Sequence, residues 1–300
     1  MLSYSAHQED IKIIKALKII GKKNLNYECC EFGAWDGKHL SNTFKIIKKK
    51  KFKALLIESD KKRFIELNSN LPETRVVKLN TFVNASGTNS LDDLLKRNGF
   101  KKDIDVLSID IDGNDFHIFK NLNYAKPKIV CIEYNKTIPI DMEFVQKNDL
   151  TIKQGSSATS IINLARKKGY FLYDCTPTNL ILISNKFKKF FNARGGGGRA
   201  GNTSRIELKL KKFITFTSLS YGFDNSIITS RPLSLFYHRK NYQKIPINLN
   251  LLPKFLIKFH EDYSLVDKFI LYAIMFSRYP SKYLQKPFKY LKILMFKKFL

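Results

Sequence analysis

The sequence predicts an α/β protein built on a mostly parallel sheet, with helices on both faces and an antiparallel strand closing one edge. Three observations carry that prediction. Strand-length apolar runs alternate with helical stretches from about residue 27 to residue 132, and such alternation builds a parallel sheet covered on both sides. Successive strands end in an acid or amide, namely Glu31, Glu58, Asn80, Asp110 and Glu133, at the carboxyl edge where such sheets take their ligands. Two later runs, 170–173 and 180–183, are joined through Thr176-Pro-Thr-Asn179, a connection too short for a parallel crossover.

The elements follow in order. Ser5, with Gln8 and Glu9 behind it, reads as the cap of a lead-in helix over 7–20. Ile13, Ile14, Leu17 and Ile20 fall on one side of that helix, lysines fall on the other, and Gly21 closes it. A strand at 27–32 precedes a helix at 38–50 with a face of Leu40, Phe44 and Ile47. Then come a strand at 54–57, a helix at 61–70, a strand at 75–79 and a short helix opened by Ser90. The buried run 106–109, a helix near 115–122 and a strand at 128–132 complete the alternation. Residues 156–168 make a capped helix that stops at Gly169 and feeds the closing hairpin.

Residues 28–37, Glu-Cys-Cys-Glu-Phe-Gly-Ala-Trp-Asp-Gly, form the first strand-to-turn junction. Glycines at 33 and 37 let the backbone take a positive φ and let a ligand lie against it. Glu58 ends the second strand about twenty residues beyond Gly37, where an acid accepts hydrogen bonds from ribose hydroxyls. This pattern suits a dinucleotide or S-adenosylmethionine. The spacing Gly33-x-x-x-Gly37, in place of G-x-G-x-x-G, counts against an NAD-linked oxidoreductase.

The segment Asp105-Val-Leu-Ser-Ile-Asp110-Ile-Asp112-Gly113-Asn-Asp115 runs a buried strand into alternate carboxylates and a glycine, and Ser90-Leu-Asp92-Asp93-Leu precedes it. With Glu31-Phe-Gly33-Ala34-Trp-Asp36-Gly37 and Glu58, these four ordered motifs resemble the FkbM-type S-adenosylmethionine-dependent methyltransferases from about residue 27 to 185. The resemblance implies a Rossmann-like methyltransferase sheet. It also implies that Glu31, Gly33, Ala34 and Gly37 lie at the methionine and ribose part of the cofactor, with Glu58 on the ribose hydroxyls. Asn80, or a residue near it, lies by the adenine, and Asp110 lies at the methyl-transfer end. Glu31 stands where the family more often has Asp, and Asp112 where it has Glu, so each carboxylate is kept with a reach altered by one methylene.

Methyl transfer to oxygen requires removal of the acceptor's proton by a base or by a metal that acidifies the hydroxyl. Asp110 is the first candidate base and His117, on the following helix, the second. Asp110, Asp112 and Glu133 together offer oxygen ligands to a divalent cation such as Mg2+. Alternate residues on an extended segment diverge, so Asp110 and Asp112 meet only if the chain turns between them. Trp35 either packs over the first turn or offers a platform to substrate or adenine, Glu133-Tyr134-Asn135 at its strand end either orients substrate or faces solvent, and Gln154-Gly-Ser-Ser157 caps the next helix.

Of the net charge of +27, residues 186–300 hold +18, with 23 Lys and Arg against 5 Asp and Glu. A field of that sign favours anionic partners, including an anionic membrane surface. No RNA-reading motif is present, so nucleic acid is not expected as a partner. The run Phe288–Leu300 is basic and aromatic, but its lysines scatter around a helix and leave no clean apolar face. A hydrophobic fraction of 44% excludes a disordered chain. The four cysteines form no CxxC, and the neighbours Cys29 and Cys30 read as buried thiols on opposite faces of a strand, in keeping with a reducing cytoplasm.

Residues 9–23 mix charges through their apolar positions, unlike a secretory leader, and no run approaches a spanning length. The expected organisation is a cofactor-binding domain over 1–190, a Gly-rich flexible loop over 191–205 around Gly195–Gly198, and a basic extension over 206–300 that partly continues the domain to about 245. The leading function is O-methylation of a saccharide or other small hydroxyl-bearing metabolite, in the cytoplasm or peripherally at the inner membrane face. The alternatives are an NAD-linked oxidoreductase and a non-catalytic module binding anionic polymer or membrane. The sequence does not indicate an oligomeric state.

Overall fold

A computed structural model describes residues 2–138, 140, 142–192, 209–210, 212–213, 219–221, 227–229 and 264–278. The expectations for Gly195–Gly198 and Phe288–Leu300 fall outside them. The described residues form two compact units, one holding residues 2–213 and the other holding two short strands and one helix.

In the first unit, α1 (Glu9–Ile20) leads into β1 (Glu28–Phe32), α2 (Phe44–Lys50), β2 (Lys53–Ile57), α3 (Lys61–Asn70) and β3 (Val76–Leu79). Next come α4 (Leu91–Arg97), β4 (Val106–Ile109), α5 (Asp115–Asn121), β5 (Ile129–Glu133) and α6 (Ala158–Lys167). The strands β6 (Tyr170–Cys175) and β7 (Asn179–Ser184) and helix α7 (Lys188–Asn192) complete it. The seven strands form one sheet in the order β3-β2-β1-β4-β5-β7-β6. Strands β1 to β5 are mutually parallel. β7 runs antiparallel to both neighbours and is the predicted closing strand. In the second unit, β8 (Leu219–Tyr221) and β9 (Ile227–Thr229) pair antiparallel, and α8 spans Leu265–Arg278. No helix among the described residues is long and apolar enough to cross a membrane.

Period-two side-chain direction explains the two cores. Cys30, Phe32, Leu55, Ile57, Leu107 and Ile109 point to one face, where Leu94 of α4, Phe119 of α5 and Ile161 of α6 cover them. Cys29, Ala54, Leu56, Val106, Ile129 and Cys131 point to the other, under Ile13 and Leu17 of α1, Ile46 of α2 and Leu67 of α3. The adjacent cysteines therefore lie in different cores, and all four thiols are buried and free. Burial pushes the Cys175 thiol up to about 12.

Two local expectations need correction. The helix expected at 38–50 begins only at Phe44. Leu40 lies outside it, with φ +55 and 53% exposure, and takes no part in the apolar face. The cause is Glu31, whose carboxylate accepts from Ser41 Oγ (2.6 Å), Asn42 N (2.7 Å) and Thr43 Oγ1 (2.6 Å) and so holds 41–43 as a loop. Likewise, α1 begins at Glu9 and Ser5 does not cap it. Ser5 and Asp10 instead bond to each other, with Asp10 N donating to Ser5 Oγ (3.1 Å) and Ser5 Oγ donating to Asp10 Oδ1 (3.0 Å).

Candidate active site

The chain leaves β1 toward β2 on one side, and β4 is inserted on the other, so the strand order reverses between β1 and β4. Ligands of open α/β sheets bind outside the carboxyl ends at such a reversal. A cavity of about 900 Å³ lies at this edge, within the size range of a cofactor site.

Its floor is the β1 turn. Gly33 has φ +72, and a Cβ there would stand 1.7 Å from the carbonyl oxygen of Asp110. Only glycine lets the β1 and β4 ends approach this closely. Ala34, buried at 2% exposure, donates its N–H to Ile57 O (3.1 Å) and stitches the turn to β2. Gly37, also at positive φ, packs its backbone against Leu67 and Leu71, away from the cavity lining.

Glu58 lies at the end of β2 and lines the cavity. Its Oε2 accepts from Trp35 N (2.8 Å) and its Oε1 from Asp60 N (2.8 Å), so each oxygen retains a lone pair for a further donor. Asn80 turns elsewhere, donating to Glu58 O (2.8 Å) and Ser59 O (3.1 Å). It fastens the β2 and β3 ends, while the neighbouring Thr81, Phe82 and Val83 line the cavity in its place. Trp35 is half exposed at the rim, with the Arg63 guanidinium 4.2 Å from its ring centroid.

The wall at β4 and β5 is acidic. The chain does turn between Asp110 and Asp112, since Asp112 has φ +59. Asp115, at the start of α5, sets that turn by accepting from Ile111 N (3.0 Å) and Gly113 N (2.9 Å). Asp110, Asp112 and Glu133 each bring a carboxylate oxygen within 4.8 Å of the others, and all three line the cavity. Burial first, then the charges of Asp112 and Asp115, push the Asp110 carboxyl well above the usual carboxylate range. Glu133 is raised in the same way by burial and by Asp110 and Asp112, against the pull of Lys153. Burial also raises Glu31, although its three hydroxyl and amide donors oppose the rise.

His117 does not line the cavity, and its ring Nε2 sits 2.7 Å from Gln146 O. That bond ties α5 to the loop before α6. Gln146 serves the same loop, accepting from Gln154 N (3.0 Å) and Gly155 N (2.7 Å). Of Glu133-Tyr134-Asn135, only Glu133 reaches the cavity. Tyr134 donates its hydroxyl to Thr176 O, and Asn135 donates to Gln154 O (2.7 Å). Ser157 caps α6 as expected, accepting from Ser160 N. Lining residues without a sequence signal include His7, Arg63, Lys136 and Lys153. Asn179 also lines the cavity; it starts β7 directly opposite Glu133, a pairing that only the closed sheet reveals.

Residues 86–172 match the model of the methyltransferase FkbM domain. No curated protein matches the chain. Among solved structures, a TehB-like SAM-dependent methyltransferase from Corynebacterium glutamicum is similar at 9% identity and a TM-score of 0.37, over 59% of this chain and 86% of that one. A S-adenosylmethionine-dependent methyltransferase from Clostridium acetobutylicum is similar at 11% identity and a TM-score of 0.36, over 61% and 92%. One from Aquifex aeolicus gives 11% and 0.35, over 58% and 89%. The sheet has the expected mostly parallel arrangement with its antiparallel closing strand. Residues 86–172, which hold the Ser90–Asp93 and Asp110–Gly113 motifs, are thus the stretch of the chain that is similar to the FkbM methyltransferase domain.

Proposed function

We propose that the protein is an S-adenosylmethionine-dependent O-methyltransferase whose acceptor is the hydroxyl of a saccharide or similar metabolite. The observation that carries this reading is the cavity at the β1/β4 reversal, where Glu58 retains lone pairs and Asp110 borders the Gly33 turn. Asp110 and Glu133 lie within the stretch matched to the FkbM domain.

The residues present fit the cofactor. Gly33 and Ala34 line the cavity at the β1 turn, and Glu58 has acceptors left for ribose hydroxyls. Thr81 and Phe82 offer the adenine a wall. When bound, S-adenosylmethionine supplies a methyl group activated by a sulfonium. The acidic wall favours that positive charge by simple attraction. Asp110 takes the acceptor's proton, a task suited to a carboxylate whose proton affinity burial and neighbouring carboxylates have raised. The remainder of the work is positioning of two reactants, which the rigid strand ends supply.

Calorimetric titration of the intact protein with S-adenosylmethionine tests the reading. One site per chain is expected. Glu58→Ala should weaken binding about 10- to 100-fold, the size of losing one hydrogen bond to a charged group. Binding of NAD with none of S-adenosylmethionine would overturn it.

A further inference from the structure

Two buried oxygen atoms at the acidic wall have no hydrogen-bond partner: Glu133 Oε2 and Asn179 Oδ1. Glu133 is 5% exposed and Asn179 3% exposed. Buried polar atoms are almost always satisfied, because leaving one bare forfeits its hydration with no return. The two residues are register partners on β5 and β7, so their side chains leave the sheet on the same face. Asp110 and Asp112 approach Glu133 at this place, with one oxygen of each within 4.8 Å of the others.

We propose that Asp110, Asp112 and Glu133 bind one hard divalent cation, with Asn179 Oδ1 as a neutral fourth oxygen. The separation fits a single ion. Oxygens around Ca2+ at about 2.3–2.6 Å lie up to about 5 Å apart across it, and Mg2+ at about 2.0–2.1 Å needs only a small closure. The donors are all oxygens, which selects a Mg2+, Mn2+ or Ca2+ type of ion over zinc or copper.

The neighbouring acids are already committed to the scaffold. Asp115 spends its oxygens on Ile111 N and Gly113 N, and Glu31 is occupied by Ser41, Asn42 and Thr43. Lys153 faces the cluster, donating to Ile111 O (3.2 Å) and acting on Glu133. A cation entering here competes with that ammonium for the carboxylates.

The binding itself does not depend on the reading of the site as a methyltransferase. Its catalytic use does rest on that reading. The ion takes the acceptor hydroxyl oxygen as a ligand and acidifies it. As the O–H bond breaks, the proton passes to the carboxylate oxygen of Asp110 that is not on the ion.

The test is titration of the chelator-treated full chain with Mn2+, read by electron paramagnetic resonance, with Mg2+ and Ca2+ as competitors. One Mn2+ per chain is expected, displaced by both competitors and retained when S-adenosylmethionine is added. Glu133→Gln and Asp112→Asn should each weaken it at least tenfold, and Lys153→Met should tighten it by removing a competing charge. No stoichiometric Mn2+ site, or affinities unchanged in all three variants, would overturn the proposal. Mn2+ bound with no S-adenosylmethionine binding keeps the site and removes the enzymatic reading, whereas the reverse result removes the site alone.

Discussion

Strand β4 carries an aspartate just outside each end, and the two live in opposite surroundings. Asp105, fully buried before Val106, receives Lys128 Nζ at 2.6 Å, Glu28 N at 3.1 Å and Asn26 N at 3.0 Å. Asp110, just after Ile109, is crowded by Asp112, Asp115 and Glu31. The amino edge of the sheet thus sets its buried aspartate against a lysine, while the carboxyl edge sets carboxyl groups beside one another. A buried carboxylate is a stabilising joint or a binding group according to whether the fold supplies its partner.

The comparison breaks most readily at Lys128, whose side chain is 5% exposed. Lys128→Met leaves Asp105 buried without its cation and should cost ~3–5 kcal/mol in urea unfolding. An unchanged midpoint would mean that Asp105 is no joint. At the other edge the sign reverses. The folded state raises the affinity of Glu133 for its proton, so wild-type stability falls as pH rises above the ordinary carboxylate range, where the folded chain binds more protons than the unfolded one.

Glu133→Gln in the metal-free protein should therefore raise the melting temperature at pH 7 by about 2–4 °C, for a gain of ~1 kcal/mol. That gain should shrink as pH falls toward about 4.3. A drop in melting temperature at pH 7 would show that Glu133 is internally compensated. The smallest effect belongs to Asp174 on β6. Burial opposes its ionisation, but Lys12 at 2.5 Å and Lys209 outweigh burial and hold its carboxyl low. Its stabilisation is present above the ordinary value of about 3.9 and is lost as pH falls through the lowered one. Asp174→Asn should cost under ~1 kcal/mol at pH 7 and flatten the acid limb of stability, checked by unfolding midpoints across pH 2–5.

Much of the site was legible because its residues follow strands. Glu31, Glu58, Asp110 and Glu133 each end an apolar run, and a strand delivers its last residues to the carboxyl edge. Side-chain commitments were not legible. Glu31 binds residues ten to twelve positions ahead of it. Asn80 fastens two strand ends, and His117 holds a loop almost thirty residues away. Lys153 and Arg63 reach the cavity from a loop and a helix flank that no periodicity marks as functional.

The sequence by itself determined the parallel α/β sheet, its closing hairpin, the split of Cys29 and Cys30 between two cores, and the resemblance to the FkbM-type methyltransferases. These depend on periodicity and on local glycine and acid positions, which a linear chain displays. Only the tertiary structure decided which acids are satisfied and which, like Glu133, keep an unpartnered oxygen. Asp115 bends the chain so that Asp112 rejoins Asp110, and the antiparallel return of β7 sets Asn179 beside Glu133. Hydrogen-bond saturation depends on partners distant in sequence, so the difference between Asp105 and Asp110 exists only once the sheet has closed.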